Sequence, residues 1–493
     1  MGDERDGVSE NQHRVVIIGA GFAGLGMAIQ LRQAGVDDFV ILEKSDDVGG
    51  CWHDNQYPGA ACDIPSHLYS FSFKPKANWS RTFAPQPEIL GYLQHCARKY
   101  DLHRHLRLGV EVQAADFDSD TGIWNVTTGR GETLRTRVLI SACGQLNRPA
   151  YPALPGIERF QGAAFHSATW NHDFKLAGKR VAVIGTGASA IQIVPSIIDT
   201  VQTLHLFQRH AAYVIPKPDR PFADWEQDMF SAVPGMQQLT RASTYLRNEL
   251  RVLGFTYFPP AMKLLELAAE KERERCVADL ELRRKLTPDY PMGCKRILLS
   301  NDYYPALCKP NAEVITDAIS HVTERGIVTK DGRERELDAI IYSTGFKATE
   351  FLAPMQIRGR DGRELGAAWR DGAEAYLGIT VHGFPNLFML YGPNTSLGHN
   401  SIIYMLESQF RYIMACLHEL DARSLRYLEV NAQVQTTFNA KLQERLAGTI
   451  WEQGCDSWYK TASGKHTNNW PGFTFAYRHL TQAPNFADYE RRS

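Results

Sequence analysis

At 493 residues, 44% of them hydrophobic and 22% charged, the chain has length for about three domains, or two with an insertion. Lysine plus arginine number 54 and aspartate plus glutamate 55, a balance that argues against nucleic-acid or anionic-membrane partners. The nine cysteines are odd in number and form no CxxC, so the sequence predicts a reducing compartment, no disulfide framework, no metal site and cysteines that serve as buried packing. The polar start Gly2-Asp3-Glu4-Arg5-Asp6 is unlike a signal peptide, and the apolar stretch 15–31 is broken by four glycines and short for a span. A cytoplasmic protein without a membrane span is expected.

The first predicted strand runs from Arg14 through the β-branched Val-Val-Ile-Ile. Gly19, Gly21 and Gly24 follow as GxGxxG, then a helix to about Ala34, then a second buried strand, Phe39 to Leu42, ending at Glu43. Strand, glycine turn, helix and terminal acid make the dinucleotide fingerprint in its required context. Turns near Gly122 and Gly131 predict a β-meander over 111–137, which feeds an apolar strand from Val138 to Gly144. His103 and His105 lack further ligand spacing and read as a surface loop.

The pattern then repeats. Lys179 opens a strand that leads into Gly185, Thr186, Gly187, Ala188, Ser189, Ala190 and Ile191, and Thr203 to Arg209 gives the second strand. A second meander, with turns near Gly326 and Gly332, feeds a strand from Leu337 to Gly345. Residues 221–290 interrupt this second unit and read as helical, with Glu270/Arg273 and Glu272/Arg275 marking a solvated face. The fold class predicted is α/β: two dinucleotide-binding (Rossmann-like) domains with β-meanders and a helical insertion. Residues 1–150 with 346–493 form the first dinucleotide-binding domain, 151–220 with 291–345 the second, and 221–290 the insertion.

The two units differ at one informative offset. Twenty-four positions past its first glycine, the first has Glu43 and the second Arg209. An acid accepts from both ribose hydroxyls and repels a 2′-phosphate, whereas an arginine offers a fork to phosphate oxygens. The first unit is therefore assigned FAD and the second NADPH.

More specific strings lie between the fingerprints: Gly49-Gly-Cys-Trp52, Tyr57-Pro-Gly-Ala-Ala-Cys-Asp63, and Phe160-Gln-Gly162 leading to His166-Ser-Ala-Thr-Trp170. The last resembles the FxGxxxHxxxW signature of type I Baeyer–Villiger monooxygenases, in the flavin-containing monooxygenase superfamily. The resemblance runs over about 13–215 and 291–395. It implies insertion of one oxygen of O2 beside a ketone carbonyl, through a peroxyflavin, to give an ester or lactone. It places Glu43, Cys51, Trp52, His53, Asp54, Asp63, Tyr69 and Val112 against FAD. It places Ala61, Cys62, Asp63, the loop Gly185 to Ile191, Gln208, Arg209, Lys295 and Arg296 against the nicotinamide cofactor. Arg296 matches the family's catalytic arginine, whose permanent charge would hold the peroxide anion, and Asp63 its carboxylate partner. His166 falls on an interdomain linker as a structural residue.

Ser167 departs from the signature's usual threonine, and the match to cyclic-ketone oxidisers fades after residue 395. Asn394 and Asn400 are read as flavin-edge or loop-stabilising residues. An N- or S-oxygenating flavin monooxygenase, acting on sulfides, and a non-oxygenating FAD/NADPH reductase are the competing readings.

Overall fold

Val15 to Ile18 are buried on both faces of their sheet, the environment of an inner parallel strand. The computed structural model describes residues 11–455 and 457–493; the acidic start Gly2 to Asp6 lies outside them. The strand Gln12–Ile18 pairs in parallel with Phe39–Leu42 and with Thr133–Ser141, Val15 facing both Phe39 and Val138. The apolar helix Phe22–Gln33 covers this sheet and packs against Ile402–Ala422.

The second sheet is parallel throughout. Its order is Ala312–Ile315, Thr203–Phe207, Arg180–Ile184, Ala339–Tyr342 and Ala163–His166. The two units superimpose in their hydrogen bonds. Gly19 N–H donates to Leu42 O and Gly185 N–H to Phe207 O, while Ala142 N–H donates to Ile18 O and Ser343 N–H to Ile184 O. Each glycine turn is thus laced to its own second strand, and each returning strand to its first.

The meanders differ. In the first unit the third meander strand and the returning strand are one element, Thr133–Ser141: antiparallel to Ile123–Thr128 at its start, then parallel to Gln12–Ile18. In the second unit Ile319–Val322, Gly326–Thr329 and Glu334–Glu336 form a separate sheet. There Asp338 N–H bonds Arg180 O, and the Asp338 carboxylate accepts from Arg180 at 2.8 and 3.0 Å. That contact turns the chain before the parallel strand begins.

Residues 221–290 are helical, with Asp224–Ala232, Met236–Glu249, Met262–Cys276 and Leu280–Lys285 as the main pieces. Glu272 and Arg275 do pair on an outer face. Arg273, expected beside them in solvent, is buried at 5% exposure. His103 and His105 lie on a short 3-10 turn; His103 is exposed as expected, but His105 is buried, stacked on Phe39 at 4.0 Å and bonded to its carbonyl.

The cysteine expectation also needs correction. Cys294 and Cys455, 161 positions apart, are joined in a disulfide with a Cα separation of 6.3 Å. Spacing along the chain carries no trace of a pair that only the tertiary fold brings together, and the inference of a reducing compartment loses its support. Cys62, Cys96 and Cys416 are buried, but Cys51 and Cys308 are exposed and are not packing residues. Among the described residues no helix is long and apolar enough to cross a membrane.

Gly24 carries the tightest contact of the first turn: a β-carbon there would meet Gly19 O at 1.8 Å. The helix would have to leave the sheet to admit it. Gly91, inside the helix Gln86–Lys99, has nothing within 4 Å of the same position. Gly24→Ala is expected to lower stability by about 1–3 kcal/mol, and Gly91→Ala to raise it by about 0.5–1 kcal/mol. Urea unfolding midpoints measured side by side check the pair, and equal shifts would contradict the assigned contact.

Candidate active site

The first glycine loop is shaped for close approach. Gly19 has φ +104° and a β-carbon on it would strike Ala142 O at 2.8 Å; Gly21 and Gly50 back onto each other. At the end of the second strand the buried Glu43 accepts from Ala20 N–H at 2.7 Å and Ser45 N–H at 2.9 Å. A carboxylate fixed beside backbone donors at a helix start suits the ribose and pyrophosphate of a dinucleotide. The residues present therefore fit FAD.

Gly50 opens the short helix Cys51–Asp54. Cys51 is exposed, and Trp52 Nε1 donates to the Tyr69 hydroxyl at 3.1 Å. His53 lies 3.0 Å from both Asp46 and Asp54; burial would lower its pKa, but the two carboxylates override it and raise it. Burial pushes the Tyr69 phenol well above its ordinary value. Val112 starts its strand with the side chain in the core, and two residues earlier Val110 N–H donates to Glu43 O. Glu43, Trp52 with Tyr69, and His53 with Asp54 are thus joined by local hydrogen bonds, and Val112 is a core residue whose neighbour Val110 is bonded to Glu43.

The second loop repeats the geometry. Gly185 has φ +112°, and a β-carbon there would meet Ser343 O at 2.3 Å. Gly187 and Ala188 are exposed, and Thr186 and Ser189 on either side of them are half-buried. Ala190, in the place of the third glycine, and Ile191 are buried in the second core beneath the helix Ala190–Ile197. Thr186 Oγ1 donates to His210 O at 3.0 Å, which sets the exposed Arg209 beside the loop. Gln208 is committed elsewhere: it is buried, and its Nε2 donates to Lys285 O at 2.6 Å.

The two units meet over the segment 57–63. Tyr57 donates to Gln192 Oε1 at 2.9 Å, and Gln192 Nε2 donates to Ala61 O at 2.9 Å. Cys62 is buried, and burial raises its thiol pKa. Next to it Asp63 Oδ2 accepts both Arg296 Nε, at 2.9 Å, and Arg296 Nη2, at 2.5 Å. Burial would raise the Asp63 carboxyl; the Arg296 charge and hydrogen bonds override it and hold it below the usual carboxylate range, with Lys217 adding to the effect. Asp63 in turn raises Arg296. Among the described residues Nη1 of Arg296 makes no hydrogen bond, so one edge of the cation stays uncommitted. Lys295 Nζ lies 4.6 Å from the centre of the Tyr290 ring.

Tyr459, Tyr391 and Lys217 around this pair were not singled out from the sequence. Tyr459 and Tyr391 are charge neighbours of Arg296, and Lys217 of Asp63. They come from loops with no motif, so only folding reveals them. Asn394 and Asn400 prove to be loop residues: Asn394 donates to His466 O and Asn469 O, and Asn400 to Glu249 at 2.6 Å. His166 is fully buried, with Nε2 paired to Gly345 O and Nδ1 to Ala168 N–H, as a structural histidine should be.

The depressed Asp63 pKa sets a pH dependence. A carboxyl whose folded pKa lies below its unfolded value, about 3.9, stabilises the fold above that value and stops doing so as pH falls through the folded one. Asp63→Asn should therefore be less stable than the parent at pH 6, with a gap that closes as pH drops below about 4. Urea midpoints between pH 6 and 3 measure it; a gap independent of pH would contradict the pairing.

Residues 12–355 match the model of the flavin-binding monooxygenase-like family. A Baeyer–Villiger monooxygenase of Pseudomonas aeruginosa is 50% identical over 471 residues, 95% of this chain and 89% of that protein. Another, from Streptomyces coelicolor, is 46% identical over 97% of this chain and 92% of its own. The crystal structure of cyclohexanone monooxygenase from Rhodococcus sp. Phi1 bound to NADP+ superimposes with a TM-score of 0.89 at 29% identity, covering 98% of this chain and 99% of that one. With two glycine loops of the required geometry and an arginine–aspartate pair between them, the chain belongs to the flavin-binding monooxygenase-like family, in its Baeyer–Villiger branch.

Proposed function

We propose that Arg296 and Asp63 form the centre at which this FAD- and NADPH-dependent monooxygenase inserts one oxygen atom of O2 beside a ketone carbonyl, giving an ester or lactone. The observation that carries the reading is the cation itself: Arg296 spends two donors on one oxygen of Asp63 and leaves another edge uncommitted, where the two nucleotide units face each other. The likeness to a cyclohexanone monooxygenase supports a ketone as substrate. FAD, when bound, supplies the redox chemistry, taking hydride from NADPH and activating O2.

The protein's own part is position and charge. Glu43 would take the ribose hydroxyls of FAD, with the N–H groups behind Gly19 and Gly21 on its pyrophosphate. Thr186 and Arg209 would take the phosphates of NADPH, with Lys295 nearby. Arg296 cannot lose its proton in a protein, so it presents positive charge at every working pH. A fixed charge in a site closed to water stabilises negative charge that develops on oxygen during reaction. Asp63 fixes the plane of the guanidinium and does not touch the substrate in this reading. No serine or cysteine nucleophile is needed. The division of the chain into 1–150 with 346–493, 151–220 with 291–345, and 221–290 belongs to the same proposal.

Arg209→Ala should raise the KM for NADPH roughly ten- to a hundredfold, the loss of charge-assisted contacts of about 1.5–3 kcal/mol, and leave the KM for NADH nearly unchanged. Steady-state kinetics with both cofactors decide; equal weakening would show that Arg209 does not read the 2′-phosphate.

Arg296→Ala should abolish ester formation across a panel of ketones while flavin remains reducible by NADPH. The variant should then consume NADPH and release hydrogen peroxide. Asp63→Ala should show a milder form of the same loss. Product mass and NADPH consumption followed together test this, and ketone oxygenation at the parent rate in Arg296→Ala would overturn it.

A further inference from the structure

Arg296 lies in a stretch without regular structure, residues 291–297. On its carboxyl side the chain is held by the two-residue strand Leu298–Leu299, parallel to Val214–Ile215. On its amino side it is held by a covalent bond. Cys294, fully buried and two positions before Arg296, is joined to Cys455.

Cys455 belongs to a C-terminal loop that faces the same cation. It follows the turn Ile450–Glu452 and precedes Tyr459, a charge neighbour of Arg296, by four positions. That loop has its own anchors: Lys460 Nζ donates to Glu452 Oε2 at 2.7 Å, and Thr467 N–H donates to Tyr459 O at 3.2 Å. Met292, two positions before Cys294, shares one buried cluster with Ile450, Trp451 and Tyr459 from the segment that carries Cys455. The disulfide therefore links the segment that carries Lys295 and Arg296 to an independently braced wall of the site.

We propose that the Cys294–Cys455 disulfide is a positioning bond for Arg296 and Lys295, so that the share of NADPH oxidation that ends in oxygen insertion depends on its being closed. The inference rests on the role given to Arg296 above. Asp63 still orients the guanidinium when the bond opens, but the backbone beneath it is released on one side. Misplacement by an ångström is enough to affect a step that depends on oriented charge. Closing the bond takes two electrons and two protons from the two thiols; hydrogen peroxide accepts them and becomes two waters. A dithiol reductant reverses this, donating its electron pair to the S–S bond, protonating both sulfurs and leaving as a cyclic disulfide.

The experiment uses the flavin-loaded enzyme. Peptide mapping without reductant should recover a linked Cys294–Cys455 peptide, and alkylation after dithiothreitol should label both residues. The reduced enzyme should then give roughly two- to tenfold less ester per NADPH consumed, with hydrogen peroxide rising to match and NADP+ binding weakened. Anaerobic flavin bleaching by NADPH should change much less than the ester yield, and flavin should stay bound. Oxidised glutathione should restore the yield in the parent but not in Cys455→Ser, which should behave as the reduced parent does. If Cys455→Ser does not fold, the chemical reduction arm stands by itself. Absence of the linked peptide, an unchanged yield after both thiols are labelled, or release of flavin with equal loss of bleaching and yield would each overturn the proposal. Ketone oxygenation at the parent rate in Arg296→Ala would instead overturn the role of Arg296 itself.

Discussion

One guanidinium–carboxylate contact, between residues 233 positions apart, ties the first nucleotide unit to the chain beyond the helical insertion. Asp63 comes from the first nucleotide unit and Arg296 from the far side of the helical insertion. Neither is fully buried: each side chain keeps 31% of its surface, so the pair is not a large source of stability. Its importance is directional. Both donors of Arg296 converge on one oxygen, which fixes the plane of the cation, and the Tyr57–Gln192–Ala61 bonds lock the segment that bears Asp63 onto the opposite helix. The arrangement holds a charge where the two nucleotide units face each other, which is where a redox pair and a substrate would have to meet.

Beneath that contact lies a device used twice. In each unit the first glycine presses on the carbonyl of a returning parallel strand, Ala142 O for Gly19 and Ser343 O for Gly185. Both glycines sit at positive φ, near +104° and +112°, where an L side chain is strained and would also collide. The price of a side chain at either place is therefore steric and conformational together. The same constraint sets each helix start directly against the end of its own first strand, where the first-turn N–H groups of a helix are available to an anion. At the strand ends the units differ in charge: an acid held by two backbone donors in one, an exposed arginine beside an open loop in the other.

The insertion and the C-terminal segment close the molecule through buried polar contacts. Glu249, 2% exposed, accepts from Asn400 at 2.6 Å, from Thr474 Oγ1 at 2.8 Å and from the Thr474 N–H. A buried carboxylate is tolerable only with such partners. Next to it His399 is pushed down to about 3 by burial, with Arg251 adding to the shift, and is therefore neutral. Together these contacts tie the helix Met236–Glu249 to the loop that carries His399 and Asn400 and to the start of the helix Thr474–Leu480.

The sequence by itself determined what depends on short-range pattern: both glycine turns with their strands, the helical character of 221–290, the acid in one unit against the arginine in the other, and the family to which the motifs point. Local sterics decide these, so a few consecutive residues suffice. Arg296 and Asp63 were legible only because short strings around them match a known family; nothing in their spacing joins them. Tertiary structure alone decided the rest. It fused the first meander with its returning strand and detached the second through Asp338 and Arg180. It buried His105 and Arg273, which read as surface residues, and turned Gln208 toward Lys285. It also brought Cys294 to Cys455 and set Tyr391, Tyr459 and Lys217 around the ion pair. Contacts of that kind join segments from 66 to 233 residues apart, and their energy comes from complementarity between surfaces that do not exist until both segments have folded.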